Sequence, residues 1–381
     1  MVRLDPHAAW RLSKRGLLLA GSNGDTVLLE HPRAGQLPAM LADDPDPGQL
    51  QQRLGPPMQP GLVGDLIAQG ILTDIPADAG APRPAGTPSG WAITRSGLMI
   101  GGVQRPARWL DRRLLPLVLH PVGRFATGLI VVGGLVALLA GRPDLPAASD
   151  TPLVEALAMI VLGLAATACH ELGHAVALVH YDRVPRRAGF GFYWGAVSFF
   201  VDSTAALTLP RRARVVQALA GLMVDTVTTA LFAIAAQLAS STLWAIVFWR
   251  LAILSIVDMM INLAPVLQVD GHWALADWLD EPDLAIRARA ALGAALRRRP
   301  HPGQRWLATY GAVSLVAGVG LLAVMVTVFW ANAGALVVNL FSGGAAEIAI
   351  GVYYVAPVTL GILFSLAGLL METAVPVSRH Q

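Results

Sequence analysis

Residues Pro152 to Tyr181 read PLVEALAMIVLGLAATACHELGHAVALVHY. The run is long and apolar enough for a membrane helix, which needs about 20 residues, yet it carries His170-Glu171-Leu172-Gly173-His174 towards its end. The rest of the chain is of the same kind. Of 381 residues, 55% are hydrophobic and 14% charged, against about 25% charged in soluble domains, and the mean hydropathy is +0.56. That excludes an ordinary soluble globule. Further apolar runs at 126–141, 215–236, 242–269, 306–333 and 348–371 predict, with 152–181, a mainly α fold: a polytopic bundle of about six transmembrane helices.

The first 75 residues predict something else. Leu17 to Ala20 and Thr26 to Leu29 flank Ser-Asn-Gly-Asp at 22–25, a hairpin signal. Short helical patterns follow at Leu37, Met40 and Leu41, at Leu50 and Leu54, and at Leu62, Leu66, Ile67 and Leu72. Together they suit a small α+β, winged-helix-like head (1–75). No signal peptide is recognisable before it, so the head is expected in the cytoplasm. Residues 76–124 read as a Pro-Ala-Gly linker and a juxtamembrane stretch with six arginines, lying near anionic lipid headgroups. The membrane domain then runs over 125–381.

Lys14 is the one lysine among 28 basic residues, so 27 are arginine. Their placement separates topology from nucleic-acid binding. Loops 182–214 and 273–305 hold six arginines each, whereas 142–151, 237–241 and 334–347 hold only Arg142. The positive-inside rule then puts both termini in the cytoplasm of a multi-pass cell-membrane protein. The head has no basic stripe, and no nucleic-acid partner is expected.

A single cysteine, Cys169, excludes an internal disulfide and any zinc site built from several cysteines. A metal would be held by His and carboxylates. His170 and His174, four apart, share one helix face and can bind one Zn2+, with Glu171 between them to take a proton from water. A catalytic site needs a third protein ligand. The run Asn262-Leu-Ala-Pro265-Val-Leu-Gln-Val-Asp270-Gly271 offers Asp270, with His272 as its competitor. At helical rise His170 and Asn262 lie about 27 and about 30 Å from the outer ends of their spans. The two motifs therefore meet near the cytoplasmic side, where Pro265 and Gly271 break the helix.

His170-Glu171-x-x-His174 with Asn262-x-x-Pro265-x-x-x-Val269-Asp270-Gly271 resembles the site-2 protease family of intramembrane zinc metalloproteases. The resemblance implies zinc on His170, His174 and Asp270, Glu171 as general base and acid, and Asn262 as the residue positioning substrate. A narrower likeness rests on Gly191 to Gly195, Phe199-Phe-Val-Asp202, Leu209-Pro-Arg-Arg-Ala-Arg214, Ala220-Gly221 and Asp270-Gly-His-Trp-Ala-Leu-Ala-Asp277. These are similar to a branch of peptide zinc metalloproteases associated with ribosomally made, modified peptides. In that branch the N-terminal part often resembles the PqqD-like fold that binds leader peptides. Leu222 and Asp225 depart from the Pro and Asn usual there.

The aromatic and Gly-rich run 189–201 is expected to be a re-entrant hairpin whose edge pairs with substrate, making Gly195, Phe199 and Phe200 candidate substrate-binding residues; the other reading of the run is an interfacial aromatic belt. Asp225 and Arg250 fall at similar depth and are expected to pair. Asp258 is expected to line a water path or bond a neighbouring helix. His120 and His180 are expected at the interface. The leading functional expectation is removal of a leader from a peptide precursor. The alternatives are regulated cleavage of a single-span protein such as an anti-sigma factor, and a non-catalytic scaffold or exporter partner.

Overall fold

The computed structural model describes residues 1–5, 8–14, 16–21, 26–56, 61–74, 91–94, 97–185, 187–193, 196–297 and 305–374. In the head, strand β1 (Val2–Leu4) pairs antiparallel with β5 (Leu72–Asp74), while β2 (Ala9–Leu12), β3 (Leu17–Ala20) and β4 (Thr26–Leu29) form a meander. Three short helices cover them: α1 (Leu37–Met40), α2 (Pro47–Leu54) and α3 (Leu62–Ala68). Asp46 and Gln49 form a capping box that starts α2. Leu17, Leu19, Leu37, Leu50, Leu54, Leu66 and Ile71 make one core. The expected 17–29 hairpin is present as the antiparallel pair β3–β4, and residues 22–25 lie outside the described residues. Leu72 does not continue the third helix, because the chain reverses at Gly70 with φ 66° and enters β5.

The juxtamembrane stretch, residues 91–124, contains structure of its own. Strands β6 (Trp91–Thr94) and β7 (Gly97–Gly101) form a hairpin that extends the pair β8 (Arg187–Tyr193) and β9 (Ala196–Val201) into a sheet of order β6-β7-β8-β9. The hairpin expected over 189–201 is thus present as β8–β9, and Gly195 lies outside the described residues. Helices α4 (Gln104–Arg113) and α5 (Leu115–Leu119) lead into α6 (Pro121–Leu139) and α7 (Pro152–His180). After β9 come α8 (Arg211–Ala218), α9 (Ala220–Leu238), α10 (Thr242–Leu263), α11 (Asp270–Leu279), α12 (Leu284–Leu296), α13 (Arg305–Phe341) and α14 (Ala345–Ala374).

Among the described residues five helical stretches are long and apolar enough to cross a membrane: Pro121–Leu139, Pro152–His180, Arg211–Leu238, Thr242–Leu263 and Arg305–Phe341. The chain is a multi-pass membrane protein. Where a sixth span was expected, α14 forms, with Ala345–Pro357 as its apolar part among the described residues. Large apolar side chains point outward on α6 (Leu129, Val132, Val136) and α13 (Val313, Val316, Val319), as lipid-facing surfaces should.

Inside the bundle small residues set the spacing. A Cβ on Gly134 would run into Ala230, and one on Gly173 would come within 2.9 Å of Val224. Helix α9 therefore lies backbone-close to α6 and α7. The expected Asp225–Arg250 pair does not form. Arg250, 3% exposed, pairs with Glu155, 0% exposed, and donates to the Ala147 carbonyl. A cation buried in a bundle takes the anion its packing supplies, and the first turn of α7 supplies one. His180 reaches Asp111 of α4 at 3.2 Å, and His120 accepts from the Val122 amide at the start of α6.

Candidate metal centre

Helix α7 sets His170 and His174 on one face, their rings edge to face at 4.8 Å. Both are buried, and their Nε2 atoms lie 3.1 Å apart. Helix α10 ends at Leu263, and the chain turns through 264–269 before α11 opens on Asp270. Gly271 permits the turn, since any Cβ there would collide with the Leu263 carbonyl. Asp270 Oδ2 comes to 3.2 Å from His170 Nε2 and 3.4 Å from His174 Nε2.

The other ring nitrogens each face an acceptor. His170 Nδ1 donates to Asp225 Oδ2 at 2.7 Å, and His174 Nδ1 donates to the Gln217 carbonyl at 2.8 Å. With protons on both Nδ1 atoms, the neutral imidazoles present two Nε2 lone pairs toward a carboxylate oxygen, Asp270 Oδ2, which is buried with no hydrogen-bond partner. Three electron-pair donors in contact repel unless a cation sits among them. Tetrahedral bonds of about 2.0–2.1 Å would place such atoms about 3.3–3.4 Å apart, close to the 3.1–3.4 Å observed. His170, His174 and Asp270 fit zinc with a fourth position open. No family model matches the chain, and neither a curated protein nor a solved structure matches it.

Glu171 stands beside this triangle. A carboxylate oxygen of Glu171 and a ring nitrogen of each of His170 and His174 lie within 4.8 Å of one another. The Val201 backbone at the end of β9 lies on the side of the Glu171 carboxyl group. The register explains why that group is free to face it. The Asp202 amide bonds the Arg187 carbonyl at 2.9 Å, and Arg187 is the residue next to Ala188, which stands opposite Val201. By antiparallel alternation, the backbone groups of Val197, Phe199 and Val201 then point away from β8. Among the described strands β9 has no partner on that side.

The expected substrate-side residues separate. Phe199 meets Phe190 edge to face at 6.4 Å, while Phe200 covers Gly189, where a Cβ would lie 2.5 Å from its ring. Gly195 lies outside the described residues. The Asn262 side chain donates to Asp258 Oδ2 at 3.1 Å, and its backbone lies against Gly271. His272, 2% exposed, is not brought into the triangle: its Nδ1 lies 3.2 Å from the Tyr310 hydroxyl, and burial lowers its pKa. Cys169 is exposed.

Two contributors were not read from the sequence. Asp225 orients His170, and Gly221 gives its ring room, since a Cβ at 221 would overlap the imidazole. Their four-residue spacing, one helical turn, was the available signal.

Proposed function

We propose that the chain is an intramembrane zinc metalloprotease that cleaves a peptide precursor. The observation that carries this is the triangle of His170 Nε2, His174 Nε2 and Asp270 Oδ2, with both imidazole tautomers fixed from behind. Bound there, zinc supplies a Lewis acid and lowers the pKa of water. Glu171 takes the proton of the attacking water and hands it to the leaving amine. The open edge of β9 receives the substrate as an added strand, holding the scissile bond extended beside Glu171. Asn262, steadied by Asp258, hydrogen-bonds the substrate backbone or the developing oxyanion.

On this reading α14 completes a sixth crossing, both termini are cytoplasmic, and the winged-helix-like head binds the precursor's leader. The head also favours precursor maturation over anti-sigma-factor cleavage. The test is metal analysis of the purified chain together with cleavage of a leader-bearing precursor, with and without chelator. One zinc per chain and chelator-sensitive cleavage are expected; a chain that takes up no zinc overturns the proposal.

A further inference from the structure

The head is fastened to the helix that carries Asp270. Arg11 of β2, 9% exposed, reaches across to the far end of α11. Its Nη1 lies 2.5 Å from Asp280 Oδ1 and its Nη2 3.3 Å from Asp277 Oδ1. The same Asp277 oxygen accepts from Arg214 Nε of α8 at 2.6 Å, and Arg214 Nη2 lies 3.8 Å from Asp280. Lys14 adds its amide to Asp280 at 3.1 Å and its Nζ to the Leu279 carbonyl at 3.0 Å. Strand β2 also packs on the 3-10 turn Thr204–Thr208 that follows β9.

Two cations and two anions are thus held together where the head, α8 and α11 meet. Each of the three parts leads to the metal centre. Helix α11 begins at Asp270, so Asp277 lies about 10 Å along the same short rod. Helix α8 carries Gln217 three residues after Arg214, on the same side; its carbonyl holds His174 Nδ1, and its side-chain amide bonds Ser203 Oγ at 3.0 Å, just past β9. The histidine half of the centre is therefore tied to the aspartate half through Arg214 and Asp277. Among the described residues Arg11, from outside the membrane domain, is the one that bridges Asp277 and Asp280 at hydrogen-bond distance.

We infer that Arg11 is a positioning residue for the metal centre: by holding Asp277 and Asp280 against Arg214, the seated head fixes α11 and with it Asp270. This rests on the zinc reading above. The head is then part of the scaffold of the centre as well as a recognition module, and anything that lifts it from α11 loosens the metal. Removing Arg11 leaves Asp280 without its nearest cation and Arg214 to serve two carboxylates. A tilt of α11 of a fraction of an ångström at Asp270 is enough to spoil a tetrahedral site.

The experiment is zinc competition against a chromogenic chelator, with the visible spectrum of the cobalt-substituted protein, on the full-length chain in detergent. Arg11→Gln is expected to weaken zinc about tenfold, the low end of effects from groups behind metal ligands, and to shift the cobalt bands. Arg11→Lys should restore part of the affinity. Arg53→Gln, removing an exposed pair with Asp43 elsewhere in the head, should change neither readout. If Arg11→Gln does not fold, Asp280→Asn removes the same contact from the membrane side and should give the same loss. Wild-type affinity and spectrum in a folded Arg11→Gln or Asp280→Asn chain overturn the role of the head alone. A wild-type chain that binds no zinc overturns the metal reading, and this one with it.

Discussion

His170 Nδ1 lies 2.7 Å from Asp225 Oδ2, joining the His-Glu-x-x-His motif of α7 to a carboxylate 55 residues away on α9. The contact fixes the imidazole tautomer and makes Nε2 a better electron-pair donor, as carboxylates behind metal-bound histidines do. It also accounts for a charge inside the membrane bundle that would otherwise need Arg250.

Asp225→Asn keeps the shape but exchanges an anion for a neutral acceptor. Zinc affinity, read by chelator competition, should fall about 10- to 100-fold, with the helical circular dichroism unchanged. An affinity equal to wild type would remove Asp225 from the centre.

Glu171→Gln leaves the three facing atoms untouched and removes the proton carrier. Zinc content should stay at the wild-type level while precursor cleavage drops by at least about 10²-fold, the lower range for general acid–base catalysis. Undiminished cleavage would sink the proposed chemistry.

Gly221→Ala puts a methyl group into the space of the His170 ring. Overpacking of this kind costs about 1–3 kcal/mol, and moving the ring also breaks the bond to Asp225. Lower thermal stability and loss of zinc should appear together. Gly293→Ala on α12, where a Cβ would meet nothing within 4 Å, is the control and should lose neither.

Phe199→Pro deletes one outward-facing amide of β9 without removing a bond to β8, since proline is tolerated at a strand edge. Compared with Phe199→Ala, which removes only the ring, it should lower kcat/KM for the precursor several-fold further at equal zinc content. Identical kinetics of the two variants would argue against strand addition at this edge.

Docking of the head should fail in acid. Burial pushes the Asp280 carboxyl up, but hydrogen bonds from Arg11 and the Lys14 amide outweigh it and hold its pKa below the ordinary value. A folded pKa below the unfolded one gives stabilisation that is complete above the unfolded value, about 3.9, and drains away as pH falls through the folded value. Limited proteolysis between head and membrane domain should therefore accelerate below about pH 4. Arg11→Gln should show a flatter pH dependence, and parallel profiles would contradict the assignment.

Much of this was legible because it is local. Apolar runs gave the crossing helices, and the 4-residue step of His170 and His174 gave their shared face. Asp270 was readable from the Pro265 and Gly271 breaks that free it from α10. What was not legible involved partners chosen by packing. Arg250 meets Glu155 because α7 and α10 lie side by side, and equal depth in the bilayer says nothing about which helices are neighbours. The β6–β7 hairpin was hidden in a stretch whose arginines dominated its reading, and its place beside β8 depends on a pairing across about 90 residues.

The sequence by itself determined that this is a helical membrane protein with two histidines and a glutamate on consecutive turns of one helix, since a 3.6-residue repeat fixes such neighbours whatever the rest of the chain does. Only the tertiary structure decided that Asp270 and not His272 meets the two histidines, that Asp225 stands behind His170, that β9 lacks a partner on one side among the described strands, and that the head grips α11 through Arg11. Those relations arise where glycines at 173, 221 and 271 let backbones approach, and close approach between distant segments is a property of the packed chain, not of any stretch within it.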